Sequence, residues 1–228
     1  MKIPLRYWLA RAGDHLTQKQ INNMKGVLRY LEAGFLIRQL GYRVGRIKPF
    51  VEWSENLFDL VGREIGDKKV LYLEFGVWKG ESILYWSKLL KNPESKLQGF
   101  DSFEGLPEDW NDKYPKGSFS TGGAIPVIDD PRVQFFKGWF DHSLPAYRIP
   151  EHEVLVLNLD ADLYSSTIFV LNYLSPWIVP GTYLYFDEFA DPQNELKAFD
   201  EFCSTNKQKF VLRGATKSLC NVLFQCVE

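Results

Sequence analysis

The residues best suited to chemistry are acids placed at the ends of apolar runs. "VLYLEFGVWKGES", residues 70 to 82, carries Glu74 at the close of an apolar run, with Gly76 and Gly80 just beyond it. Asp101 ends the next run, 27 residues after Glu74. "LDADLYSST" places Asp160 and Asp162 at i and i+2, pointing the same way if that stretch is extended. "YFDEF" adds the adjacent acids Asp187 and Glu188. Glycines at Gly76 and Gly80 let backbone approach a ligand closely, and a helix starting there offers free N–H groups. A carboxylate at Asp101 can accept from two ribose hydroxyls at once. Carboxylates crowded at neighbouring strand ends repel one another, and a hard divalent cation such as Mg²⁺, which prefers oxygen ligands, would relieve that. For any single acid a helix cap or an ion pair is the plainer reading. Trp139 and Phe140 could stack on a purine ring or simply pack in a core.

Those acids need a scaffold that gathers strand ends. After residue 68 strand and helix patterns alternate. Strands are expected at Val70 to Phe75, Leu97 to Asp101, Val133 to Lys137, Val154 to Asp160, Thr182 to Asp187, Lys209 to Arg213 and Asn221 to Val227. Helices are expected at Gly80 to Lys91, Ser166 to Leu174 and Pro192 to Cys203. Fully apolar strands such as "VLVLNL" call for burial on both faces, as in a parallel sheet between helices. The last two strands are joined by a connection too short for a helix, so they pair as an antiparallel hairpin. The expected fold is a Rossmann-like, doubly wound, mostly parallel sheet with an antiparallel C-terminal hairpin. In such sheets ligands sit at the carboxyl ends of the strands, where the strand order reverses.

Residues 1 to 67 form an expected helical cap, lid or dimerisation segment ahead of a domain at 68 to 228. Ile21, Met24, Leu28, Leu31 and Phe35 recur at steps of three and four and make one apolar stripe. Trp53, Leu57, Leu60 and Val61 make another over Phe50 to Ile65. Residues 1 to 48 hold ten basic and two acidic side chains, a net +8, so the other 180 residues carry −10 within the overall −2. That asymmetry suits an anionic substrate, an acidic neighbour subunit or a membrane surface, or else a solvated helix face. Residues 105 to 131, rich in Gly, Pro and Asp, read as a substrate lid or else as a disordered loop. No secretory signal and no membrane span are expected, and the three cysteines near the C-terminus are read as reduced, in a cytoplasmic protein. No nucleic-acid partner is expected, and a homo-oligomer stays open.

Taken together, "LEFGVWKGES", "GFDSFEGLPEDW", "VQFFKGWFDHSLP", "LDADLYSST" and "YFDEF" resemble, in that order, the macrocin O-methyltransferase-like family of S-adenosylmethionine-dependent methyltransferases. The resemblance covers about residues 68 to 200. It implies methylation of a hydroxyl on a sugar or polyhydroxylated natural product. It further implies that Glu74, Gly76, Gly80 and Ser82 border the methionine part of the donor. Asp101, with Ser102 and Phe103, would bind its ribose, and Gly138, Trp139 and Phe140 would lie near its adenine. Asp160, Asp187 and Glu188 would hold Mg²⁺, with Asp160 and His142 as the catalytic candidates. The sequence departs from the family at the Asp187–Glu188 pair, which is Asp-Asp in the macrolide enzymes. It also departs at His142, where the family has an acid, and in a lid loop without the family's histidine base. Lys116 or a metal-bound hydroxide could take that base's place. A catalytically silent, methyltransferase-like scaffold protein is the main rival reading. A nicotinamide-dependent oxidoreductase is a further one, weakened by Trp78 where a middle glycine belongs.

Overall fold

The computed structural model describes residues 4–228. Eight strands make one sheet: β1 (Phe50–Val51), β2 (Val70–Phe75), β3 (Lys96–Asp101), β4 (Val133–Lys137), β5 (Val154–Leu159), β6 (Tyr183–Phe186), β7 (Phe210–Thr216) and β8 (Val222–Cys226). Their order is β1-β7-β8-β6-β5-β2-β3-β4. Only β8 runs against its neighbours, β6 and β7; every other pairing is parallel. The doubly wound sheet with an antiparallel C-terminal hairpin is therefore present. A β-bulge between Leu212 and Gly214 interrupts the hairpin register.

Strands β2 and β5 lie side by side at the centre, and every residue of both is buried. Their apolar side chains, alternating across the pleat, feed two cores. On one face Val70, Tyr72, Val154 and Val156 meet α3 (Ser54–Ile65) and α4 (Glu81–Leu89) through Leu57, Phe58, Val61, Ile83 and Trp86. On the other face Leu71, Leu73, Leu155 and Leu157 meet α6 (Tyr164–Leu174) and α7 (Glu195–Thr205) through Val170, Leu171, Leu196, Phe199 and Phe202. Continuous hydrophobic strands are what burial on both faces requires.

The N-terminal segment differs from expectation. Ahead of α3 it holds two further helices, α1 (Leu5–Gly13) and α2 (Gln18–Gln39), the second opened by a capping box in which Thr17 and Gln20 satisfy each other's backbone N–H groups. Strand β1 pairs with β7 and α3 packs on the sheet, so packing runs across residue 67. The expected helix over Phe50 to Ile65 begins only at Ser54, because Phe50 and Val51 are drawn into the sheet edge. Most of the stripe read on α2 faces away from the body: Met24, Leu28, Leu31 and Phe35 are exposed, while Ala33 and Ile37 on another face are buried. All three cysteines are free, and no helix among the described residues is long and apolar enough to cross a membrane.

Candidate active site

The carboxyl ends of β2, β3, β5 and β6 open into one cavity of about 860 Å³. It lies where the strand order reverses, with β3 on one side of β2 and β5 on the other. Glu74, Gly76 and Ser82 line it from the β2 end, and Asp101 and Ser102 from the β3 end. Gly138, Trp139 and Phe140 reach it from β4, Asp160 from β5, and Asp187 and Glu188 from β6.

The turn after β2 is held by a close backbone crossing. Gly76 has φ +93°, and a Cβ there would stand 1.8 Å from the Asp160 carbonyl oxygen. Only glycine permits that approach. Asp101 then fixes the loop: Oδ2 accepts the N–H groups of Val77 and Trp78, each at 2.8 Å, and Oδ1 accepts the N–H of Phe103 at 2.6 Å. Its carboxylate thus organises the glycine turn as well as facing the cavity.

Three expected residues lie elsewhere. Gly80 caps α4 in the left-handed conformation and sits against Pro126, outside the cavity wall. Phe103 is buried and packs edge-on against Phe135. His142 points to solvent with its side chain 78% exposed, and its Nδ1 lies 2.6 Å from Asp141 Oδ1. It is Asp141, one position earlier on the short helix α5 (Phe140–Ser143), that lines the cavity. Successive helical side chains point about 100° apart, so the neighbour of a lining residue is turned away. His142 thus stands at the surface, outside the residues that line the cavity.

The cavity floor is acidic and short of cations. Burial, then the charges of Asp187 and Asp162, push the Asp160 carboxyl well above its ordinary range. Burial, then Glu188 and Asp187, push Asp162 up to about 7. Burial also raises Asp187, against the opposing hydrogen bonds from the Tyr185 hydroxyl at 3.0 Å and Asn221 Nδ2 at 2.6 Å. Glu188 is raised by burial and then by Asp187, with Arg29 opposing. Beneath them Glu195, fully buried, accepts the Glu188 N–H at 2.9 Å with Oε2, and its Oε1 has no partner. Glu74 is 1% exposed, and burial raises its carboxyl to about 8 despite the Tyr72 hydroxyl at 2.5 Å.

This donor set has the chemistry of a hard divalent cation site: several oxygens and mutual repulsion. Among the described residues, however, no three His, Cys, Asp or Glu side chains converge as a ligand group, and Asp187 Oδ1 is already engaged by Tyr185 and Asn221. The donor types suit Mg²⁺; their arrangement is not a closed shell.

Sequence reasoning passed over the opposite wall. Trp110 and Tyr114 stack with centroids 5.2 Å apart, Tyr114 meets Phe119 at 5.1 Å, and Phe119 meets Trp78 edge-on at 6.2 Å. All four line the cavity, as does Lys116. The Trp110 indole N–H donates to Asp191 Oδ2 at 3.1 Å, and Ser165 Oγ donates to Glu108 at 2.5 Å, which ties the 105–131 loop to the body. An irregular loop has no periodicity to announce this wall; the density of aromatics in it was the available signal.

The sequence model of the Macrocin-O-methyltransferase (TylF) family matches residues 126–213. That range holds the motifs on β4, β5 and β6 and leaves the glycine turn and Asp101 outside it. The chain is 29% identical over 142 residues to an 8-demethyl-8-(2,3-dimethoxy-alpha-L-rhamnosyl)-tetracenomycin-C 4'-O-methyltransferase of Streptomyces olivaceus, covering 52% of each protein. It is 27% identical over 142 residues to the mycinamicin III 3''-O-methyltransferase of Micromonospora griseorubida, covering 53% of this chain and 55% of that protein. The match thus spans about half the length of these curated relatives. A solved calicheamicin methyltransferase shares the fold, with a TM-score of 0.58 at 18% identity over 92% of this chain and 94% of that one. The family model supports the resemblance for the three motifs within residues 126–213, and the calicheamicin methyltransferase supports the Rossmann-like fold.

Proposed function

We propose that the protein is an S-adenosylmethionine-dependent O-methyltransferase acting on a hydroxyl of a sugar or sugar-bearing natural product. The observation that carries this reading is the cavity at the strand-order reversal. A glycine turn and Asp101 stand on one side of it, a carboxylate floor on another, and an aromatic wall faces them. The relatives named as O-methyltransferases of a rhamnosyl-tetracenomycin and of mycinamicin III support the acceptor class.

In this reading the donor's ribose hydroxyls hydrogen-bond to Asp101, which keeps unused lone pairs beyond its three backbone contacts. The amino-acid part of the donor lies near Gly76 and Ser82. Trp139 and Phe140 border the adenine. The acceptor enters along Trp110, Tyr114 and Phe119, whose faces suit the apolar face of a sugar ring. The acceptor oxygen attacks the sulfonium methyl carbon; the carbon–oxygen bond forms as the carbon–sulfur bond breaks. The proton leaves to the carboxylate floor, with Asp160 as the proposed acceptor. Holding the two reacting atoms in line supplies a large part of the barrier reduction. Asp160, Asp187 and Glu188 are the side chains that would hold a divalent cation, which when bound would offset their charge and lower the pKa of the acceptor hydroxyl.

The test is transfer of labelled methyl from S-adenosylmethionine to a panel of glycosides, with Mg²⁺ and with a chelator. Methylated product supports the reading. Donor binding without turnover on any acceptor would favour a methyltransferase-like scaffold. Turnover unchanged by the chelator would remove the cation.

A further inference from the structure

Helix α1 buries no side chain: Leu5, Tyr7, Trp8 and Leu9 are 72%, 51%, 49% and 63% exposed. A nine-residue helix is below the roughly 12 to 15 residues at which an isolated helix becomes marginal in water, so it needs something to lie against. Helix α2 has the same need along one side. Its inner face is fixed to the body through buried Ala33 and Ile37, with Arg29 near Asp191; the exposed Glu32, at the boundary of the two faces, accepts from Gln193 with Oε1 and leaves Oε2 free for the outer side. Its outer face carries Met24, Leu28, Leu31 and Phe35, each about half exposed or more.

The spacing on that outer face is specific. From Ile21 the steps to Met24, Leu28, Leu31 and Phe35 are three, four, three and four. That is the seam of a two-helix coiled coil, in which apolar residues repeat every 3.5 positions on average. The wider apolar stripe of a helix packed on a globular core has a different period. Together α1 and α2 expose ten large apolar side chains within residues 5–35.

We propose that this face is the dimerisation surface of the protein, and that its occupant is the α2 helix of a second copy, packed antiparallel about a two-fold axis near Leu28. Charge selects both the partner and the direction. Lys25 and Glu32 occupy the same flanking heptad position, four residues after Ile21 and Leu28 respectively. In an antiparallel pair that position faces itself across the seam, so Lys25 of each copy meets Glu32 of the other. The midpoint of 25 and 32 falls within one residue of the midpoint of the seam, 21 to 35. A parallel pair would instead set Lys25 beside Gln20 and Glu32 beside Val27, with no ion pair. The same patch meets itself, as a two-fold contact demands. The stripe cannot serve as a lid on its own cavity, because the face of α2 toward the body is already packed.

Sedimentation equilibrium of the full chain reads the proposal directly. The expected mass is 53 kDa, twice the 26.5 kDa of one chain. Leu28→Glu with Leu31→Glu should return it to one chain while the far-ultraviolet circular dichroism keeps the signal of the α/β body. A milder pair guards against misfolding. Lys25→Glu should weaken the dimer by about tenfold, and adding Glu32→Lys should restore it. A wild type that stays at one-chain mass overturns the proposal. So does a dimer indifferent to both sets of substitutions. Wild-type monomer that floats with phosphatidylserine vesicles would assign the face to a lipid surface instead.

Discussion

Glu74 offers the sharpest test of the electrostatics, because its proton should count against stability in a measurable way. The side chain is 1% exposed, and its carboxyl is raised from 4.5 to about 8. Between those values the folded protein keeps a proton that the unfolded chain has lost. Stability from this group is therefore complete below pH 4.5 and declines as pH rises toward 8. Each pH unit costs about 1.36 kcal/mol, so between pH 5 and 7 the wild type loses about 3 kcal/mol that Glu74→Gln does not. Glutamine keeps the shape and an acceptor for the Tyr72 hydroxyl. The other raised carboxyls, Asp160, Asp162, Asp187, Glu188 and Glu195, make both proteins less stable as pH rises, and their shared contribution cancels in the comparison. Urea unfolding followed by tryptophan fluorescence at pH 5, 6 and 7 gives the two curves. The variant should gain on the wild type steadily across that range. Parallel curves would mean that Glu74 is ionised in the folded protein and would refute the reasoning.

Gly76→Ala should lower stability by more than the 1 to 2 kcal/mol that a left-handed residue costs, since its Cβ would meet the Asp160 carbonyl oxygen at 1.8 Å; an unchanged melting temperature would deny that crossing. Asp160→Asn should cut methyl transfer by about 100-fold or more while S-adenosylhomocysteine binds as before, the pattern of a lost proton acceptor; equal losses in binding would make it a donor contact. His142→Ala should leave turnover within about twofold, as for a surface change, and a large loss would return the histidine to the chemistry. Phe119→Ala should raise KM for a glycoside acceptor with little change in kcat, and an unchanged KM would take the acceptor off the aromatic wall.

The sheet was readable because each central strand is a fully apolar run that stops at an acid. Seven strands are legible in this way or by their turn signals, and four of them place Glu74, Asp101, Asp160 and Asp187 at one edge. The two-residue strand β1 was not readable: Phe50 and Val51 follow no alternation, and only pairing with β7 makes them a strand. The α2 stripe was found with the right residues and an incomplete meaning, since periodicity reveals an apolar face but not what covers it. Phe103 and His142 lie outside the cavity lining for local reasons. Phe103 has φ +57°, which turns its ring into the core, and His142 follows the cavity-facing Asp141 by a third of a helical turn. Glu195 lay inside an expected helix with nothing to distinguish it from a surface acid, and only tertiary packing brings it under Glu188.

The account's central claim is that the glycine turn and Asp101 form a methyl-donor site. Calorimetric titration of S-adenosylhomocysteine into wild type and Asp101→Ala, with and without Mg²⁺, tests it most directly. The account predicts micromolar binding by the wild type and its loss in the variant. Absence of binding to the wild type under every condition would contradict it, and equal binding by both proteins would remove Asp101 from the site.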